Sequence, residues 1–128
     1  AMVKNTNGLI VNLSFYAAEQ NNQGVAYSAS KAAANRMSSS MAHELKTHNV
    51  AVVALYPGMV RTESVMAGAE HLDLSNSETP EFVGRAIVAL ASDQSILKKS
   101  GKILKTAELA NEYGFTDLDG STPKVFCF

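Results

Sequence analysis

Tyr27 and Lys31, in the run YSASK, stand four residues apart with only small residues between them. In a helix that spacing puts both side chains on one face, so a phenol and an ammonium share a local field. A phenol can give a proton to a developing alkoxide or take one from an alcohol, but its ordinary pKa of about 10 is high for exchange near neutrality. A cation one turn away favours the phenolate and is expected to lower that value. Ser14, thirteen residues before Tyr27, adds a hydroxyl that could hold a substrate oxygen. The three residue types form a coherent set for interconverting a carbonyl and an alcohol. Each also has a plainer reading: Tyr27 and Lys31 as a pair on a helix surface, and Ser14 as a strand-ending residue that bonds backbone.

Such groups need elements to hold them. GLIVNLS, Gly8 to Ser14, is a nearly continuous apolar run after a polar turn, which predicts a parallel strand covered on both faces. From Val25 to Thr47 the chain lacks Gly and Pro and is rich in Ala, Met and Leu, which predicts a long helix. Ala26, Ala29, Ala33, Met37, Met41 and Leu45 trace one stripe along it. VAVVALY, Val50 to Tyr56, is a second such strand, ended by Pro57 and Gly58.

From Met59 to Ser77 the pattern weakens into a long connection with one helical turn after Thr62, although PGMVRT also reads as a plain turn with Thr62 as an N-cap. Thr79 as N-cap, Pro80 at the first helical position and Glu81 in the first turn open a helix with Phe82, Val83, Ala86, Ile87 and Leu90 on one face. SGKILKT gives a turn and a short third strand, and Glu108 to Phe128 reads as a brief helix with an irregular tail. Strands alternating with helices argue for a parallel α/β sheet, in which ligands bind outside the carboxyl ends of the strands. Ser14, Tyr27 and the Pro57 to Thr62 stretch fall toward that edge.

The 128 residues, 46% hydrophobic with a net charge of -1, predict one soluble globular domain over 1–128. Acidic and basic residues are interspersed, which gives no electrostatic case for nucleic acid or a membrane surface as partner. The single cysteine, Cys127, excludes an intrachain disulfide and suggests a reducing compartment. AMVKNTNG lacks a signal-peptide pattern and no apolar run approaches bilayer length, so a cytoplasmic location is expected. His43, His48 and His71 show no metal-ligand spacing, so no metal site is expected. TDLDG, Thr116 to Gly120, reads as a turn rather than a calcium loop, and the NLS sequon at Asn12 falls in a predicted buried strand.

YSASK, GLIVNLS and PGMVRT resemble the Tyr-x-x-x-Lys, Asn-x-Ser and Pro-Gly-x-Val-x-Thr motifs of the short-chain dehydrogenases/reductases. All three occur in the family's order. AHELKTHNVAVVALYPGMVRTE, ALASDQSILKKSGKIL and LANEYGFTDLDG are similar to one subgroup of that family, so the resemblance covers nearly the whole chain. It implies a Rossmann-like doubly wound parallel sheet, here the C-terminal part with about three strands and flanking helices. It also implies an oxidoreductase that uses NAD or NADP, with NADP slightly favoured, on a small-molecule carbonyl or alcohol. Tyr27 would be the general acid/base, Lys31 would also bind the nicotinamide ribose, and Ser14 would orient the substrate carbonyl. Tyr27, Lys31, Pro57, Gly58, Val60 and Thr62 would contact the cofactor. The loop after Thr62 looks like the family's variable substrate loop, and the Tyr27 helix like one of its dimerisation elements, which implies a homo-oligomer.

The chain departs from the family pattern in two places. No Gly-x-Gly occurs, so the backbone cradle for the pyrophosphate and the residue that chooses NAD or NADP are not in this sequence, nor is an NNAG-type segment. The chain is therefore expected to be the C-terminal catalytic portion of a subunit; the alternative is a non-catalytic remnant serving as an oligomerisation or interaction module. Second, Phe15 follows Ser14 where the family often writes a second serine and commonly uses it.

Overall fold

The strand with the strongest apolar run organises the fold: every residue from Val50 to Tyr56 is buried. That is the expected state of a central strand flanked by neighbours in the sheet and covered on both faces, and it explains why VAVVALY carries no alternating polar position. The computed structural model describes residues 1–125. Cys127 and the last residues of the predicted tail lie outside them.

In chain order the elements are a short helix α1 (Met2–Asn5), strand β1 (Gly8–Leu13), helix α2 (Val25–Leu45), strand β2 (Val50–Tyr56) and a short helix α3 (Glu63–Ala67). Helix α4 (Pro80–Ser92), strand β3 (Ile103–Lys105) and helix α5 (Thr106–Tyr113) follow. Single 3-10 turns sit at Tyr16–Glu19, Lys46–His48, Ala69–His71 and Ile96–Lys99. The three strands form one parallel sheet in the order β1-β2-β3, with β1 and β2 in register from Gly8 opposite Val50 to Leu13 opposite Leu55. Helices connect successive strands, as parallel pairing requires.

The chain groups into two compact units, one of Ala1–Tyr56 with Ala91–Leu104, the other of Pro57–Leu90 with the chain from Lys105 on. In the first unit α2 lies along the sheet, and its buried residues are Ser38 and Ala42. The apolar stripe seen in the sequence takes no large part in this: Ala26, Ala29, Ala33 and Met37 are exposed, and Met41 and Leu45 are half-buried. Small residues bring the helix close to the strands, and the polar one among them is satisfied. Ser38 Oγ donates to the Ala34 carbonyl at 2.8 Å and accepts from Asn12 Nδ2 of β1 at 3.0 Å. A buried hydroxyl with both roles filled costs little, so a weakly apolar face suffices.

In the second unit α4 begins as expected. Thr79 Oγ1 accepts from the Phe82 N–H at 3.1 Å, and Phe82, Ala86 and Leu90 are buried. Helix α5 buries Ala107, Leu109 and Ala110 and stops at Gly114, whose φ of 76° is the left-handed C-cap conformation that glycine adopts without strain. Phe115, just beyond that cap, meets the Phe82 ring at a centroid distance of 5.3 Å.

Candidate active site

Strand β1 ends at Leu13, and the next residue joins three elements. The Ser14 N–H donates to the Leu55 carbonyl at 2.9 Å, continuing the β1–β2 ladder by one rung. Its hydroxyl donates to the Lys31 carbonyl of α2 at 3.1 Å, and the residue is 2% exposed. The end of the strand is thus tied to the helical turn that carries Lys31.

Small hydroxyl residues hold the turn between Tyr27 and Lys31. Ser28 Oγ donates to the Gln20 carbonyl at 3.3 Å, and Ser30 Oγ to the Tyr27 carbonyl at 2.7 Å. Tyr27 itself is 45% exposed and Lys31 half-buried, with Lys31 Nζ 5.6 Å from the centroid of the Tyr27 ring. That is a cation–π distance, and it fixes ammonium and phenol on one face of α2 as their spacing predicts. The structure brings Ser14, Tyr27 and Lys31 together through one strand end and one helical turn, with Ser14 joined to the Lys31 backbone.

One turn further along α2, Asn35 secures the helix to β2. Its Nδ2 donates to the Tyr56 hydroxyl at 2.6 Å, and that hydroxyl donates to Glu19 Oε1 at 3.2 Å. Burial pushes the Tyr56 phenol above its ordinary pKa, the Glu19 carboxylate adds to the shift, and the bond from Asn35 opposes it. Tyr56 is therefore a neutral buried strut, while Tyr27 is the phenol open to solvent. Neither Asn35 nor Glu19 carried a signal in the sequence, because their partner lies 21 and 37 residues away.

The remaining candidates, Pro57, Gly58, Val60 and Thr62, belong to the second unit. Pro57, Gly58 and Val60 are half-buried, and Thr62 is exposed. Thr62 is the N-cap of α3, accepting from the Val65 N–H at 3.3 Å, as the plain reading of PGMVRT expects of that residue. Val60 forms a parallel bridge with Glu78.

Two buried carboxylates, which the sequence reading missed, stand behind this segment. Glu78, 1% exposed, accepts from the Gly58 N–H at 3.1 Å and from the Thr106 hydroxyl at 2.9 Å. Burial pushes its carboxyl above the usual range, the bonds from Thr106 and Gly58 oppose that, and the Asp117 charge adds to it. Asp117, also 1% exposed, accepts from the Thr79 N–H at 2.9 Å and from the Thr79 hydroxyl. Burial alone would raise its carboxyl, but the bonds from Thr79 and Leu118 and the Arg61 guanidinium at 4.0 Å hold it below its ordinary value. TDLDG is a turn, with the Gly120 N–H on the Asp117 carbonyl at 3.0 Å, and its first acid is structural.

Among the described residues no group of three or more His, Cys, Asp or Glu could hold a metal ion, and no helix is long and apolar enough to cross a membrane.

Residues 1–73 match the family model for short chain dehydrogenases. The mouse dehydrogenase/reductase SDR family member 1 is 40% identical over 98% of this chain and 44% of its own length. A 7α-hydroxysteroid dehydrogenase solved with NADH and 7-oxo glycochenodeoxycholic acid superposes with a TM-score of 0.68, 27% identity, and coverage of 81% of this chain and 44% of that one. A structure from Beutenbergia cavernae with NADP at low occupancy, assigned as an NAD(P)-dependent gluconate 5-dehydrogenase, gives a TM-score of 0.66 at 28% identity over 82% of this chain and 46% of that one. The chain thus spans under half the length of the curated relative it matches. With a parallel sheet, a Tyr-x-x-x-Lys turn anchored at the first strand's end, and these likenesses, the chain belongs to the short chain dehydrogenase family.

Proposed function

We propose that this chain carries the catalytic residues of an NAD(P)(H)-dependent oxidoreductase that interconverts a small-molecule carbonyl and the matching alcohol. The observation that carries the reading is the solvent-open Tyr27 phenol with Lys31 Nζ 5.6 Å from its ring centroid, on a turn whose backbone is held by Ser14. A phenol that must exchange a proton with a substrate has to be reachable, and Tyr27 is the reachable one.

The available groups suit a nicotinamide cofactor. Lys31 offers donors for ribose hydroxyls, and Pro57, Gly58 and Val60, half-buried, with the exposed Thr62 would border the ring. When bound, the nicotinamide supplies or accepts the hydride. In the direction of reduction, Tyr27 gives its hydroxyl proton to the substrate oxygen, and the Lys31 ammonium balances the charge left on the ring oxygen. Oxidation runs the same transfer backwards. Ser14 acts through Lys31, since its one hydroxyl proton is engaged by the Lys31 carbonyl. No Gly-x-Gly lies in these 128 residues, so the pyrophosphate end of the cofactor would be held by residues outside them.

The test is Tyr27→Phe in protein that turns over a carbonyl substrate. Loss of a positioned acid/base is expected to lower kcat by about 10²–10⁴-fold with cofactor affinity nearly unchanged. Turnover retained in the variant contradicts the assignment.

A further inference from the structure

Strand β2 ends at Tyr56, and the residue after it is a proline with no N–H. The first donor on the way out of the sheet is therefore Gly58, and it is met by a side chain rather than by backbone. Residue 78 grips this exit at three points: Glu78 Oε1 accepts from the Gly58 N–H at 3.1 Å, the Glu78 N–H donates to the Met59 carbonyl at 2.9 Å, and the Glu78 carbonyl accepts from the Arg61 N–H at 2.9 Å. The carboxylate's other partner, the Thr106 hydroxyl, lies within 2.9 and 3.0 Å of its two oxygens.

These partners of the carboxylate are neutral, and it is 1% exposed. Burying an ionised group without a cation costs stability, and an apolar side chain of similar volume commonly serves a fold better. A costly residue with its acceptor oxygen on one glycine N–H is the pattern expected where local consistency has been given up for a site.

We infer that Glu78 is a positioning residue for the nicotinamide cofactor: its carboxylate holds Gly58, which opens the segment that borders the ring in the reading above. The inference rests on that reading for the word cofactor. Its geometric part stands on the bond from the Gly58 N–H to the Glu78 carboxylate; the bonds at Met59 and Arg61 are made by the backbone of residue 78.

The experiment combines amide hydrogen exchange with titration of NADPH and NADH, on wild type, Glu78→Ala and Glu78→Gln. In E78A the Gly58 amide is expected to exchange at least about tenfold faster while the Arg61 amide, bonded to the backbone carbonyl of residue 78, and the β2 amides of Val52 and Ala54 keep their protection, and cofactor affinity falls in parallel. In E78Q, whose amide oxygen can still accept from Gly58, protection and affinity return toward wild type. Unchanged exchange at Gly58 in E78A overturns the inference. Equal loss of protection in β2 and in the segment also overturns it, in favour of a plain structural role. A wild-type chain that binds neither cofactor, with Gly58 still loosened in E78A, upholds the control exerted by Glu78 and removes the cofactor reading instead.

Discussion

A serine hydroxyl has one proton to give, and in Ser14 it goes to the Lys31 carbonyl. For Ser14 to hold a substrate oxygen that bond would have to open, so its contribution is placed at the helical turn. Ser14→Ala is then expected to lower kcat by roughly the worth of one neutral hydrogen bond, about 3–10-fold, far less than Y27F. Steady-state turnover of the two variants decides it, and a loss in S14A equal to that in Y27F would put the Ser14 hydroxyl on the reacting oxygen. Tyr27 and Lys31 were legible in the sequence because i,i+4 neighbours meet whatever the rest of the fold does. That Ser14 could bond backbone was a reading the sequence allowed, but which carbonyl accepts was not legible, since it lies 17 residues away and no residue type marks it. Glu78 was hidden for the same reason: in SNSETP it reads as a loop acid, and only the return of the chain to Gly58, 20 residues earlier, gives it a task.

Buried carboxylates divide the second unit into opposing pH effects. The Glu78 carboxyl is raised in the folded chain by burial, so its contribution is fully present below its unfolded pKa and is lost as pH rises through its folded value. The Asp117 carboxyl is lowered despite burial, so its contribution is present above the unfolded pKa and is lost as pH falls through its folded value. Thermal unfolding across pH therefore should show Glu78→Gln gaining on wild type as pH rises above about 4, and Asp117→Asn closest to wild type in acid and weakest near neutrality. Parallel curves for the two variants would contradict this. Among the elements, β2 and α4 were readable because each buries large apolar residues in an unbroken pattern. Helix α2 was readable in extent but not in orientation, because Ser38 and Ala42 form its buried face while Ala26, Ala29, Ala33 and Met37 stay exposed.

That outward stripe carries the whole-molecule expectation. Ala26, Ala29, Ala33 and Met37 are exposed, Met37 at 56%, an apolar helix surface with a use if a second copy covers it. Wild type is expected to sediment as a homo-oligomer and Met37→Glu as a monomer; an M37E chain that keeps the wild-type mass would move the contact elsewhere. The parallel sheet and the family were legible from strand runs and motifs spaced along the whole chain. The division into two compact units was not, because residues 57–90 and those after 104 come together only by chain return. The most direct measurement is a fluorescence titration with NADPH and NADH of protein that joins this chain to residues able to hold the pyrophosphate, beside Lys31→Ala. Saturable micromolar binding that weakens in K31A is the predicted result; the absence of a saturable response to either cofactor would contradict the assignment of this chain as the nicotinamide-binding, catalytic part of an oxidoreductase.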